Sequence, residues 1–274
     1  MGGSRDFNPE ELKRLYVDDG LPARALAARL GCGETTVYRR LAALGIARRP
    51  PGTVPGSRTD FSAWSAPLAY AVGLIATDGN LSRDGRHLTM TSADVDLLDT
   101  IRNCLGGQAA ITTHRSSYGS RVNRIQWADR AFHEWLAAIG LMPAKSLRLG
   151  ALQIPDEYFS DFLRGCIDGD GSILTYIDYY NAVKNPSYVY TRLFVTLASA
   201  SRPFLEWVHG TLTRLIGLRR AVMTQVRSAP RHPISVLKYA KRDSITLLNW
   251  LYYAPDVPCL ARKRIKAQPF LTER

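Results

Sequence analysis

The sequence predicts an α+β core made of two pseudo-symmetric αββαββα repeats, preceded by a small all-α unit. Two observations carry this expectation. The segments AYAVGLIATDG at 69–79 and DFLRGCIDGDG at 161–171 superpose without gaps at an offset of 92 residues, matching Gly73 with Gly165 and Gly79 with Gly171. The stretch RRPPGTVPGSR at 48–58 holds three prolines and two glycines with almost nothing apolar, the composition of an extended linker between folded units. The predicted boundaries are 1–47, a linker at 48–60, and 61–274 with repeats at about 65–150 and 156–268.

Upstream of the linker, Pro9 to Asp18, Pro22 to Leu30 and Glu34 to Leu44 read as three helices, with Gly31 supplying the turn between the second and third. Ala27 is small where two helices cross, and Val37 and Leu41 dock the third helix. The run ALAARLGCGETTVYRRLAALG resembles the helix-turn-helix of resolvase-type and repressor DNA-binding domains. That resemblance implies that Thr35, Thr36, Arg39 and Arg40 lie on or near the groove face of a recognition helix.

Downstream, each repeated segment is followed by strand-like runs, such as HLTMT at 87–91 and YTRLFVTLA at 190–198. An amphipathic helix, a second strand pair, another helix and a basic tail come next, the tails being KSLRL at 145–149 and RKRIK at 262–266. A single Asp-Gly after a helix is usually a turn; two in one register ask for a shared explanation. An EF-hand reading of DGDGSI fails, because with Asp168 at loop position 3 the end positions fall on Cys166 and Ile177.

The doubled motif resembles that of the LAGLIDADG homing endonucleases, over residues 65 to about 268, with Ala76 and Thr77 standing where the family name has Asp and Ala. The resemblance implies two motif helices in close contact, with Ala69, Gly73 and Ala76 along one face and Gly165 and Gly169 along the other. It implies a saddle-shaped antiparallel sheet that reads the major groove, and Asp78 beside Asp170 at its base. Two such carboxylates repel unless a cation lies between them, which points to Mg²⁺ or another divalent ion and to phosphodiester hydrolysis.

Charge agrees with a nucleic-acid partner: the formal net charge is +12 with a pI of about 9.8, divided as +3 over residues 1–60 and +9 over 61–274. Between 219 and 242 stand Arg219, Arg220, Arg227, Arg231, Lys238, Lys241 and Arg242 with no acid, in a segment that reads as a strand pair. Its counterpart in the first repeat is weaker, with Arg115, Arg121, Arg124 and Arg130 opposed by Asp129. Aligning IQWADR with LKYAKR puts Gln126 and Lys238 where the resemblance implies a residue near each scissile phosphate, and Lys145 and Lys263 in the tails are read as phosphate contacts.

The expected partner is double-stranded DNA bearing a long, imperfectly palindromic site, bound by a monomer. A transcription regulator that keeps the fold without cleaving, and an intron RNA maturase, stand as alternatives. Cys32, Cys104, Cys166 and Cys259 form no CxxC pair, and the five histidines are scattered, so neither a zinc ribbon nor a disulfide framework is indicated. With no apolar run of membrane-spanning length and no hydrophobic signal core at MGGSRDFN, the expected location is the cytoplasm or nucleoid, without secretion.

Overall fold

The computed structural model describes residues 8–19, 21–48, 60–107, 109–115, 119, 121–180, 182–226 and 232–272. Residues 49–59 of the expected linker, and the expected DNA contacts Arg227 and Arg231, lie outside the described residues.

The N-terminal segment forms helices α1 (Pro9–Lys13), α2 (Ala23–Leu30) and α3 (Glu34–Ala43). Asn8 caps α1 by accepting from the Glu10 amide at 3.0 Å, and Gly31 ends α2 in the left-handed region at φ 62°. The first helix extends to Asp18 as expected, with its second half, Arg14–Asp18, wound as a π-helical turn. Its wider winding sets the adjacent Leu15 and Tyr16 both into a small core with Leu12, Leu26, Val37 and Leu41.

The first repeat runs α4 (Ala66–Thr77), β1 (Gly79–Leu81), β2 (His87–Ser92), α5 (Val95–Cys104), β3 (Ile111–Arg115), β4 (Arg121–Ala128) and α6 (Arg130–Ala138). The second runs α7 (Phe159–Asp170), β5 (Gly171–Asp178), β6 (Tyr190–Ser199), α8 (Arg202–Ile216), β7 (Val222–Val226), β8 (Ile234–Tyr239) and α9 (Lys241–Leu251). It closes with α10 (Ala261–Ala267), formed by the basic RKRIK tail, whereas KSLRL makes only a 3₁₀ turn at Lys145–Leu147. Each repeat carries its own four-stranded antiparallel sheet, in orders β1-β2-β4-β3 and β5-β6-β8-β7. The fold is thus α+β with the doubled order that the sequence predicts.

Strand alternation decides which face of each sheet is covered. In β6 the buried Leu193, Val195 and Leu197 alternate with more exposed residues, and in β8 Leu237 and Tyr239 do the same. One hydrophobic core joins the repeats: Leu68, Ile75, Leu98 and Ile125 belong to the same cluster as Phe162, Val195, Leu212 and Leu247. No helix among the described residues is long and apolar enough to cross a membrane.

Candidate nucleic-acid interface and acid pair

The contact between α4 and α7 is made by glycine. A Cβ placed on Gly73 would run into the Phe162 carbonyl oxygen and stand 2.9 Å from the Cys166 amide nitrogen. One on Gly165 would strike the Tyr70 carbonyl oxygen and lie 3.0 Å from the Leu74 nitrogen. Backbone against backbone leaves no room for a side chain, so the helices cross at their tightest where the repeat places its matched glycines. Further along, a Cβ on Gly169 would meet the Thr77 side chain and come within 3.2 Å of an Asp78 carboxylate oxygen. The end of one helix is thereby held against the end of the other.

Asp78 caps the C-terminus of α4 and Asp170 is the last residue of α7, so the two acids stand together where β1 and β5 begin. Burial, followed by the charge of Asp170, pushes the Asp78 carboxyl up to about 6, against the pull of Lys263 and Lys145. Asp170 is raised too, by loss of surrounding water, with the same two lysines opposing. Among the described residues no group of three or more His, Cys, Asp or Glu could hold a metal. The protein therefore offers a hard cation one carboxylate from each side, a donor set that suits an ion completed by water and phosphate oxygens.

Two expectations need correction. Lys145 and Lys263, read as phosphate contacts on basic tails, are only 6% and 4% exposed. Lys145 donates to the Gly79 carbonyl oxygen. Lys263 donates to the carbonyls of Ile167 (2.6 Å), Asp168 (2.8 Å) and Gly171 (2.8 Å). Gly79 and Gly171 are repeat equivalents, so the lysines are a symmetric pair beneath the acids. The physical reason is that main-chain carbonyls need a donor where each motif helix gives way to its strand: Lys263 meets those at the end of α7, and Lys145 meets that of Gly79 at the start of β1. Burial lowers Lys145 to about 8 against the opposing charges of Asp170 and Asp78, and lowers Lys263 likewise.

The strand register brings Gln126 and Lys238 into equivalent places. Gln126 pairs with Thr89, which pairs with Asn80; Lys238 pairs with Thr196, which pairs with Ser172. Asn80 and Ser172 lie two residues beyond the acids, so both rungs flank the acid pair at about two strand spacings, roughly 10 Å. Gln126 accepts from Arg124 at 2.5 Å, and the Lys238 ammonium sits 3.7 Å above the Phe194 ring.

Arg115, Arg121, Arg219, Arg220 and Lys241 are exposed, and Arg124 is half-buried on β4. On α3, Thr35 and Arg39 are exposed while Thr36 and Arg40 are half-buried. The four cysteines are free, as their spacing implied.

A buried polar group that the sequence reading missed surrounds α7. Arg164, wholly buried, pairs with Asp161 and donates to the carbonyls of Leu251 (2.6 Å) and Pro258 (2.7 Å). Asp168 accepts from the Tyr70 hydroxyl of the first repeat (2.8 Å) and the Leu260 amide (2.7 Å). Asp161 and Arg164 stand three residues apart on one helix, a spacing that signals an ion pair, but only burial distinguishes this one from a surface pair.

No protein-family model matches the chain, and no curated protein does. Among solved structures, the homing endonuclease I-WcaI bound to its DNA recognition sequence superposes over 85% of this chain and 98% of its own, with a TM-score of 0.51 at 13% identity. The I-LtrWI LAGLIDADG homing endonuclease bound to target DNA matches over 75% and 89% of the two chains, with a TM-score of 0.48 at 10% identity. Full-length DUF199/WhiA from Thermatoga maritima matches 80% of this chain, which spans 66% of that protein's length, with a TM-score of 0.45 at 12% identity. On the first of these superpositions, and on the paired helices, sheets and acids above, the chain has the fold of the LAGLIDADG homing endonucleases.

Proposed function

We propose that the chain is a site-specific DNA endonuclease that cuts both strands of a long, imperfectly palindromic duplex site as a monomer. The observation that carries this reading is the pair Asp78 and Asp170, one from each repeat, held together by glycine-to-backbone contacts that tolerate nothing larger. Burying two carboxylates side by side is costly: burial first, and the charge of Asp170 second, raise Asp78 to about 6. Such an arrangement makes sense where a cation and phosphates meet.

Asp78 and Asp170 would hold Mg²⁺ or a similar divalent ion, which when bound supplies charge for the scissile phosphates and lowers the pKa of water. The remaining work belongs to the chain. Lys145 and Lys263 hold the ends of the strands that start at each acid and keep the carboxylates ionised against burial. Gln126 and Lys238, on matching rungs two strands from those that begin after the acids, would hydrogen-bond a phosphate or the attacking water. In hydrolysis a water oxygen bonds to phosphorus as the phosphorus–oxygen bond to one deoxyribose breaks, and the water's proton ends on the leaving oxygen. Each repeat serves one strand, and because the sheets differ in sequence each reads a different half-site. Residues 1–47 would add a second, tethered contact through Thr35, Thr36, Arg39 and Arg40, with Arg115, Arg121, Arg124, Arg219, Arg220 and Lys241 supplying phosphate contacts.

The test is a matched pair of assays on a target selected from a randomised duplex library: gel shift in Ca²⁺ and plasmid cleavage in Mg²⁺. Asp78→Asn and Asp170→Asn should each reduce double-strand cleavage by more than about a thousandfold while leaving specific binding within about threefold. Cleavage at the wild-type rate by either variant would refute the assignment. A wild-type chain that binds its site tightly and never cuts with any divalent metal would make it a regulator.

A further inference from the structure

The faces that the two sheets turn away from the core differ in chemistry. In the first sheet the outward rungs are polar: Asn80, Thr89 and Gln126 share one, and Thr91, Arg124 and Thr112 the next. In the second sheet the equivalent rung of Ser172, Thr196 and Lys238 is polar as well, but the longer β5–β6 hairpin carries the face on, past the extent of β1 and β2, into apolar and aromatic residues: Leu174 pairs with Phe194, and Tyr176 pairs with Arg192. On the same face, but at the other end of the sheet beyond the Lys238 and Val236 rungs, Val226 stands opposite Ile234. Leu174 and Tyr176 are 48% and 47% exposed, and Val226 is 57% exposed, on a face where strand alternation leaves every residue free to be polar.

The chemistry around this apolar strip points to one occupant. Lys238 lies over Phe194, and Arg192 lies over Tyr190 while pairing at 2.8 Å with Asp178, the acid of that hairpin face. Arg219 and Arg220 stand exposed at the approach to β7. An apolar strip bordered by cations, with its nearby acid neutralised, suits a surface that is itself apolar in the middle and anionic at the edges. The major groove of an A·T-rich duplex has that character, since thymine presents its C5 methyl there between two rows of phosphates. The strip is also continuous with the proposed cleavage site, because β5 begins at the residue after Asp170.

Resting on the endonuclease reading above, we propose that the second sheet recognises its half-site through thymine methyl groups, whereas the first reads its half-site through hydrogen bonds. A strand and a B-DNA duplex both advance about 3.4 Å per unit, so Leu174 and Phe194 fall about four base pairs outward from the cut, and Tyr176 about six. These are the positions where thymine is required.

The experiment uses the full chain and its selected target, with thymine replaced by deoxyuridine in one half-site at a time. This deletes only the C5 methyl. In one half the substitution should weaken binding in Ca²⁺ by about tenfold for two methyls lost, with the sensitive positions about four to six base pairs from the centre, and in the other half by less than about twofold. Leu174→Asn, a surface change that leaves the core intact, should abolish the uracil penalty in the sensitive half and leave the other half unaltered. Equal affinities for thymine and uracil in both halves would overturn the proposal, and would be the result if this face were instead covered by a second copy of the chain or another protein. A uracil penalty that Leu174→Asn does not change would overturn it as well. Failure to select any duplex would remove the endonuclease reading and this inference together, whereas a selected target indifferent to uracil removes this inference alone.

Discussion

The two motif helices share a register and differ in what surrounds them. Every buried side chain of α4 from Leu68 to Ala76 is apolar apart from the hydroxyl of Tyr70, whereas α7 buries Asp161, Arg164 and Asp168 among its apolar residues. At the repeat offset these three positions are Ala69, Val72 and Ala76 in α4. Symmetry is kept where the helices touch each other, at Gly73 and Gly165, and where the chemistry is proposed, at Asp78 and Asp170. It is lost where α7 faces the segment 251–260, in which the Leu251 carbonyl at the end of α9, the Pro258 carbonyl and the Leu260 amide have no backbone partner among the described residues. Arg164 and Asp168 supply those missing partners. Pseudo-symmetry therefore marks the shared working surface, and its breakdown marks the attachment of the C-terminal loop.

The strongest challenge to this comparison is Arg164→Met, which leaves Asp161 buried without its counter-ion and should cost about 4 kcal/mol in denaturant unfolding. Copying the first repeat, as the pair Asp161→Ala with Arg164→Val, should recover a substantial part of that loss but not all, because the carbonyls of Leu251 and Pro258 stay unpaired. Full recovery would show that the loop carbonyls do not explain the asymmetry. Gly73→Ala and Gly165→Ala test the symmetric side. Each pushes a methyl into a main-chain carbonyl and should cost about 3 kcal/mol, the two agreeing within about 1 kcal/mol.

Asp168 gives the comparison a pH signature. Burial raises this carboxyl to about 6 from 3.8, despite donors from Leu260, Tyr70 and the nearby Lys263 and Arg164. A carboxyl raised in the folded state stabilises it fully below pH about 4 and loses that contribution as pH climbs through about 6. Asp168→Asn keeps an acceptor and does not titrate, so its stability relative to wild type should rise between pH 4 and 7, by no more than about 3 kcal/mol. A pH-independent difference would mean that the Asp168 carboxyl titrates alike in the folded and unfolded chains and is not raised by folding. The smallest effect concerns the N-terminal unit: deleting residues 1–47 should weaken binding about tenfold and leave cleavage at saturation within about twofold.

Much of this architecture was legible because the two motif segments, 69–79 and 161–171, superpose without gaps. The offset of 92 pairs the contact glycines and the acids, and aligning IQWADR with LKYAKR matches the observed register of Gln126 and Lys238. What stayed hidden depends on partners distant in sequence. Lys145 reads as a surface cation until the Gly79 carbonyl, 66 residues away, is brought to it. The π-helical turn after Lys13 likewise has no local signature, being chosen by the core that Leu15 and Tyr16 complete. The difference between the two outward sheet faces could have been found from sequence by comparing the repeats rung by rung, once the register was known.

The glycine seam between α4 and α7 also determines what would happen if the chain were divided between residues 150 and 156. Neither fragment could cover its motif helix alone, since the surface each must bury is the other's backbone, so each would survive only by recapturing its complement or pairing with a copy of itself. Each would also carry a single carboxylate of the pair. A split gene would thus encode two subunits whose stability rises with concentration; on the endonuclease reading proposed above, activity would rise with it, and self-pairing of one half would exchange two unlike half-sites for a palindrome.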